Sequence, residues 1–456
     1  MAEGPAHENW SSRTAFLLAA IGGAVGLGNI WKFPYMVGEN GGGAFVLIYL
    51  LAVCAVVIPV LAAELMIGRR GHRSPVGAMR RLAGEFGVSR AWVGLGWLGM
   101  TVAFLVLSFF GAVATWALAY IPKAASGALT GITPQAANRM FTDMLSNPVQ
   151  LMAWNAGYLG VTVWIIARGI HAGIEKTVKG LMPALFVSLL ILVIYALIAG
   201  DAARGINFML APDFSALDGQ VVLKAVGQAF LSVGIASGVM MTYGAYLPRG
   251  ISIVRAAAVI ALVDAGVALM AGLAIFPVVF AAGFDPAEGP GLAFVIFPYA
   301  LGGMPGGQIL GTLFFVLLVI ATLTSSIAVL EPIVSWAEEH RGVRRVYSAM
   351  AAGVAAWVLG LGTLFSFSLW KNVYPLGFLP WFEKQTVFVL ADHLITAVLL
   401  PLGGFLIAVF AGWRMTRKAV MEELGWGDDW RFRTWRALIR YVAPAGVAAV
   451  FIYGLI

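Results

Sequence analysis

Residues 22–34 read Gly-Gly-Ala-Val-Gly-Leu-Gly-Asn-Ile-Trp-Lys-Phe-Pro inside an otherwise apolar stretch. Four glycines, an asparagine, a lysine and a proline crowd what should be a plain membrane helix. Hydrocarbon offers the backbone no hydrogen bonds, and a polar group left bare there costs on the order of several kcal/mol. Such a break persists only where water, an ion or a substrate occupies the gap. The segment is therefore a candidate binding site at membrane depth.

The rest of the chain supports a membrane setting. Of 456 residues, 61% are hydrophobic and 11% charged, against about 25% charged in a soluble domain. A net charge of +7 does not point to nucleic acid, because most basic residues fall in loops between apolar spans. The lone Cys54 excludes an internal disulfide and reads as a packing residue. His7, His72, His171, His340 and His393 are scattered without metal-ligand spacing. No GxxxxGK[ST] loop, nucleophile elbow or HExxH is present, so the chain carries no ATP engine and reads as a non-enzyme. Met1 to Trp10 is polar, with no cleavable signal, and the first span reads as a retained anchor.

Taking roughly 20 apolar residues per membrane helix, the chain divides into eleven spans. They are 13–37, 42–68, 92–122, 150–168, 177–199, 221–246, 253–282, 307–337, 344–366, 386–413 and 435–455. Alternate loops are basic, with Arg69, Arg70, Arg73, Arg80, Arg81 and Arg90 in the first and Arg414, Arg417 and Lys418 in the last. This places the N-terminus in the cytoplasm and the C-terminus outside, in the inner membrane of a cell. Span 1 is interrupted at 26–28 and span 6 at 234–238, five helices later. Matching breaks in two halves point to an inverted repeat with a site between them. One domain, 1–456, then holds a first repeat (13–199), a second (221–413) and an extra helix (435–455). Close packing through Gly22 and Gly26 is the alternative for span 1. Asn29, Lys32 and Pro34, with the second break, favour the site.

The motif AVGLGNIWKFPY followed by ENGGGAF (Glu39 to Phe45) resembles the neurotransmitter:sodium symporter family. Further matching pieces are Glu64 with Gly68-Arg69, Gly173 to Pro183, Gln228-Ala229-Phe230, Thr242-Tyr243-Gly244, Ala321 to Ser326 and Glu331-Pro332. The resemblance implies an all-α LeuT-type fold with a 5+5 inverted repeat, discontinuous helices 1 and 6, and eleven helices, as in bacterial members. It implies two sodium sites. One would use the Ala24 carbonyl, Asn29, Ser232 and Asp264, completed by a substrate carboxylate. The other would use carbonyls of Gly22, Val25 and Ala321 with the hydroxyls of Thr324 and Ser325. On local chemistry alone, these hydroxyls would bond the preceding helical turn. Asp264 stands where chloride-dependent relatives have asparagine, so no chloride requirement is expected. A carboxylate at this depth costs roughly 3 kcal/mol and is functional by default. Glu64 resembles the family glutamate that accepts hydrogen bonds from the unwound part of span 6.

The same resemblance assigns the substrate pocket to the backbone of Ala24, Gly26, Leu27 and Gly28, with Val106, Phe110, Leu231, Ser232, Gly234, Ser237, Ser325 and Val329. Three of these depart from the family pattern. Phe110 replaces a tyrosine that contacts the substrate carboxylate, Leu231 replaces an aromatic lid, and Ser237 replaces a large apolar residue. Lys32 is expected to face Asp392 as an outer gate. His7, Trp10, Tyr246 and Glu339 are expected at an inner gate, and Gly173 and Pro183 bracket a hinge in span 5. The expected function is sodium-coupled import of a neutral amino acid or close derivative by alternating access. The partners are then sodium, a small-molecule substrate and the lipid bilayer, with no nucleic acid. The alternatives are a sodium-dependent sensor with little turnover and a symporter of another amine or organic solute.

Overall fold

A computed structural model of the chain describes residues 9–286, 291–379 and 382–455. Among these residues, nine helices are long and apolar enough to cross a membrane. They are Gly43–Gly71, Arg90–Ala125, Pro148–Ala167, Ile170–Ala199, Ile253–Ala281, Gly307–Arg341, Arg345–Phe365, Val387–Arg414 and Trp430–Gly454. A tenth span is a bent pair, Arg13–Ala24 and Gly28–Glu39, whose halves meet at 50°. The expected span 221–246 is two shorter helices, Gly219–Val233 and Val239–Ala245. Below, spans keep their order in the chain, so span 6 is this pair. The last span starts at Trp430, five residues before the expected 435.

Local signals set the helix ends. Ser12 accepts a hydrogen bond from the Ala15 amide, Asp218 from Val221 and Asp429 from Phe432, each satisfying a donor that a helix start leaves free. Pro75 and Pro148 occupy first-turn positions, where a missing N–H costs nothing. Shorter helices lie between the spans. Pro75–Glu85 and Arg417–Leu424 stand on the face with the basic loops; Pro134–Leu145, Ala202–Leu210 and Leu292–Gly302 were not anticipated from the sequence.

Small residues let the spans that frame the site touch backbone to backbone. A side chain at Gly68 of span 2 would place its Cβ 1.9 Å from the Met241 carbonyl oxygen, and one at Gly244 would meet the Leu65 carbonyl at 2.5 Å. Span 2 is thereby locked along the second half of span 6. Span 10 lies against the break itself. A Cβ at Gly403 would come within 2.5 Å of the Ala236 Cβ, and one at Gly404 within 2.4 Å of the Phe230 ring.

At Gly68 the neighbour is backbone and cannot swing aside. Gly68→Ala is expected to lower stability by about 1–3 kcal/mol, read as a fall in melting temperature in detergent. An unchanged melting temperature would contradict this packing.

Candidate functional site

Span 1 stops because Val25 turns extended (ψ 112°), its N–H still donating to the Ile21 carbonyl at 2.7 Å. The gap therefore opens at 25–26, slightly earlier than the sequence suggests. Asn29 closes it: its Oδ1 accepts the Gly26 amide at 3.0 Å. The same side chain reaches across to spans 6 and 7. Nδ2 donates to Ser232 Oγ at 2.9 Å, and to the Oδ1 and backbone carbonyl of Asp264 at 2.8 and 2.9 Å. Ser232 Oγ donates to Asp264 Oδ2 and lies 3.3 Å from the Tyr49 hydroxyl. Gln228 Nε2 donates to the Gly28 carbonyl at 2.9 Å, tying the halves of spans 1 and 6 together.

The second break has three left-handed residues, Gly234 (φ 66°), Ala236 (φ 67°) and Gly238 (φ 74°). Glycine adopts this region freely, whereas an alanine there is strained by about 1–2 kcal/mol. Glu64 offsets this: fully buried, its Oε2 accepts the Ala236 amide at 3.0 Å. Glu64 does not pair with Arg69, which instead donates from Nε to Glu423 and from Nη1 to the Ile251 carbonyl. Ser237 folds back, its Oγ donating to the Gly234 carbonyl at 2.6 Å.

A second oxygen cluster joins span 1 to span 8. Ser325 Oγ lies 3.4 Å from the Gly22 carbonyl and 3.1 Å from those of Val25 and Ala321. Gly26 has no room for a side chain, because a Cβ would sit 2.6 Å from this hydroxyl. The Thr324 hydroxyl bonds the Ile320 and Ala321 carbonyls of its own helix. Among the described residues, no three His, Cys, Asp or Glu side chains gather to hold a metal ion. The oxygens at the breaks are amide, hydroxyl and carbonyl, with Asp264 as carboxylate. Such hard neutral donors suit an alkali cation rather than a transition metal.

Above the breaks lies a cavity of about 20 Å³ lined by Leu27, Gly28, Phe110 and Leu231, as the sequence suggests. Trp31, Phe109, Ile395 and Thr396 also line it, and no sequence signal singled these out. Val106 and Val329 are buried but do not line it. At this volume the cavity admits about one water, so an amino acid requires its walls to part. Over it, Lys32 Nζ contacts Asp392 Oδ1 and Oδ2 at 2.9 and 3.1 Å.

On the opposite, basic face, Trp10 Nε1 donates to the Tyr243 carbonyl at 3.1 Å, and its amide donates to that of Tyr246 at 3.3 Å. Tyr246 donates to Glu331 Oε1 at 3.1 Å. Glu331 is fully buried and paired with Arg345, which also holds Glu338 at 2.9 Å. Glu339, expected opposite His7, accepts from Arg73 Nη1 at 2.9 Å and the Ser74 amide at 2.8 Å. His7 lies outside the described residues. Gly173 sits in a wide turn, Ile170–Glu175, where a Cβ would be 2.1 Å from the Ile165 carbonyl, and Pro183 lies within a continuous helix. The bracketed segment is wound here rather than open.

Comparison with known proteins agrees with this geometry. A model of the "Sodium:neurotransmitter symporter family" matches residues 7–135 and 139–456. An uncharacterized sodium-dependent transporter, YhdH of Bacillus subtilis, is 36% identical over 97% of this chain and 96% of its own. An uncharacterized sodium-dependent transporter of Haemophilus influenzae is 31% identical over 98% of each. The crystal structure of MhsT in complex with L-phenylalanine superposes with a TM-score of 0.90 at 37% identity, covering 98% of this chain and all of that one.

Ser325 is the hydroxyl on which carbonyls of the broken span 1 and of span 8 converge. Ser325→Ala should fold yet lose roughly half or more of any sodium-dependent rise in melting temperature. An undiminished rise would remove this hydroxyl from the cation site.

Proposed function

Because the chain belongs to the sodium:neurotransmitter symporter family, we propose that it is a sodium-coupled symporter importing a neutral amino acid or close derivative by alternating access. The paired helix breaks carry this reading. They bring the Asn29 side-chain amide against the oxygens of Ser232 and Asp264 on one side, and gather oxygens of Gly22, Val25, Ala321 and Ser325 on the other. The first set, with the Ala24 carbonyl, is assigned to a sodium ion beside the substrate. The second set, with the Thr324 hydroxyl, is assigned to another. Each sodium charge moved inward gains roughly 2.3 kcal/mol per 100 mV of membrane potential.

The half-helix that starts near Gly28 turns its N-terminus to the gap, and the partial positive charge of that end suits a substrate carboxylate. Phe110 offers no hydroxyl to that carboxylate, so sodium and the helix end would hold it. A neighbour of the same fold was crystallised with L-phenylalanine, which supports an amino acid as cargo. Leu231 and Ser237 shape the side-chain end and set it apart from the usual aromatic lid. Gly173 and Pro183 are assigned to an inner hinge. The basic loops are read as cytoplasmic, with eleven spans in the inner membrane and the C-terminus outside.

Asp264 supplies a fixed negative charge beside the first sodium site, so transport is expected to be independent of chloride. Uptake into proteoliposomes should persist when gluconate replaces chloride, and Asp264→Asn should create a chloride dependence. A clear loss in the unsubstituted protein would overturn the assignment. A sodium-dependent thermal-shift screen over amino acids and amines, followed by radiolabel competition, tests the cargo. Failure of every amino acid to compete would reject this class, and binding without counterflow would mark a sensor.

A further inference from the structure

Glu175 lies at the end of the wide turn that opens span 5. It is 2% exposed, although His171 and Lys176 beside it face outward. Its carboxylate gathers four polar neighbours. The Ser11 amide donates to Oε1 at 2.8 Å and the Ser11 hydroxyl to Oε2 at 2.5 Å. His171 Nδ1 lies 3.2 Å from Oε1, and Lys179 Nζ donates to Oε2 at 3.3 Å.

These neighbours belong to two different moving parts. Ser11 directly follows Trp10, which is bonded to the Tyr243 and Tyr246 carbonyls of span 6. It thus belongs to the plug that shuts the basic face. His171 and Lys179 stand four residues before and after Glu175, and both reach it only while that stretch is wound. In an extended chain, four residues separate groups by about 13 Å. One buried carboxylate therefore serves the docking of span 1 and the winding of span 5 together.

We propose that Glu175 is a positioning residue for the inner gate, making release of the Ser11 segment and unwinding of 173–183 a single event. This rests on the alternating-access reading above. Glu175 touches neither the oxygen clusters nor the cavity, so its removal acts on the closed state rather than on binding. Loss of the carboxylate leaves the start of span 1 and the inner end of span 5 free to part separately. A neutral amide replaces it only in part: its oxygen can accept the Ser11 amide, but its NH₂ group would face Lys179, which has donors alone.

The experiment places a cysteine at Met182, which is fully buried against Gly22, in a Cys54→Ala background. Labelling by a membrane-impermeant maleimide is followed from the basic face in vesicles. Glu175→Ala and Glu175→Gln should each raise the labelling rate about fivefold or more. Ser11→Ala keeps the amide bond and should raise it about two- to threefold. Combined with Glu175→Ala it should add nothing, because both remove the same interaction. In transport, the maximal rate should fall while KM stays within about twofold.

Unchanged labelling in both Glu175 variants, or an additive double variant, would overturn the proposal. If neither Glu175 variant folds, Ser11→Ala decides, and an unchanged rate there overturns it as well. Labelling requires neither sodium nor substrate. The gate inference and the symport reading therefore fail separately.

Discussion

Two interrupted helices at membrane depth leave backbone amides and carbonyls that lipid cannot satisfy, and the surrounding structure is organised by that demand. Asn29 meets it for span 1 by accepting from Gly26 while donating to Ser232 and Asp264. Glu64 meets it for span 6 through the Ala236 amide, and Gln228 links the two by holding the Gly28 carbonyl. These five side chains are all buried, and each would be costly there without the broken backbone to bond. Polar side chains and backbone gaps thus justify one another. Removing either alone leaves the other unpaired.

The closed ends follow a different principle. The Lys32–Asp392 pair is partly exposed, with side chains 15% and 33% accessible, and is screened by water. A lysine ammonium makes a point contact rather than a planar fork, so this pair ties its two spans only weakly. The basic face is shut by buried groups: Trp10 against span 6, and Glu331 with Arg345 and Tyr246. Opening there exposes more polar partners at once. The two ends therefore differ in stiffness, although both are shut in the structure.

The fold was legible because its signals are local. A run of Gly, Asn, Lys and Pro inside an apolar stretch marks a break without knowledge of any partner. Apolar length and basic loops then supply the remaining spans. What lay beyond reach is pairing across large sequence separations. Glu175 reads as one charge among the basic residues of a loop, and only the fold brings it under Ser11. Glu339 resembles an inner-gate acid by position, and only the fold brings Arg73 and the Ser74 amide to it. Thr396 and Ile395 sit in an apolar helix with nothing to separate cavity-lining faces from lipid-facing ones. The hydroxyls of Thr324 and Ser325 are adjacent and chemically alike; both bond their own preceding turn, and only the fold brings the Val25 carbonyl of span 1 to Ser325 as well.

Span 10 carries Asp392 at one level and, eleven and twelve residues further, Gly403 and Gly404 pressed on Ala236 and Phe230. A rigid rod bearing on the strained corner of span 6 at one point, and latched to Lys32 at another, behaves as a lever with a bare fulcrum. Tilting it far enough to release the latch shifts the surface on which the corner rests. The position of Asp392 and the contour of the break are then mechanically one variable, set by two residues that carry no side chain.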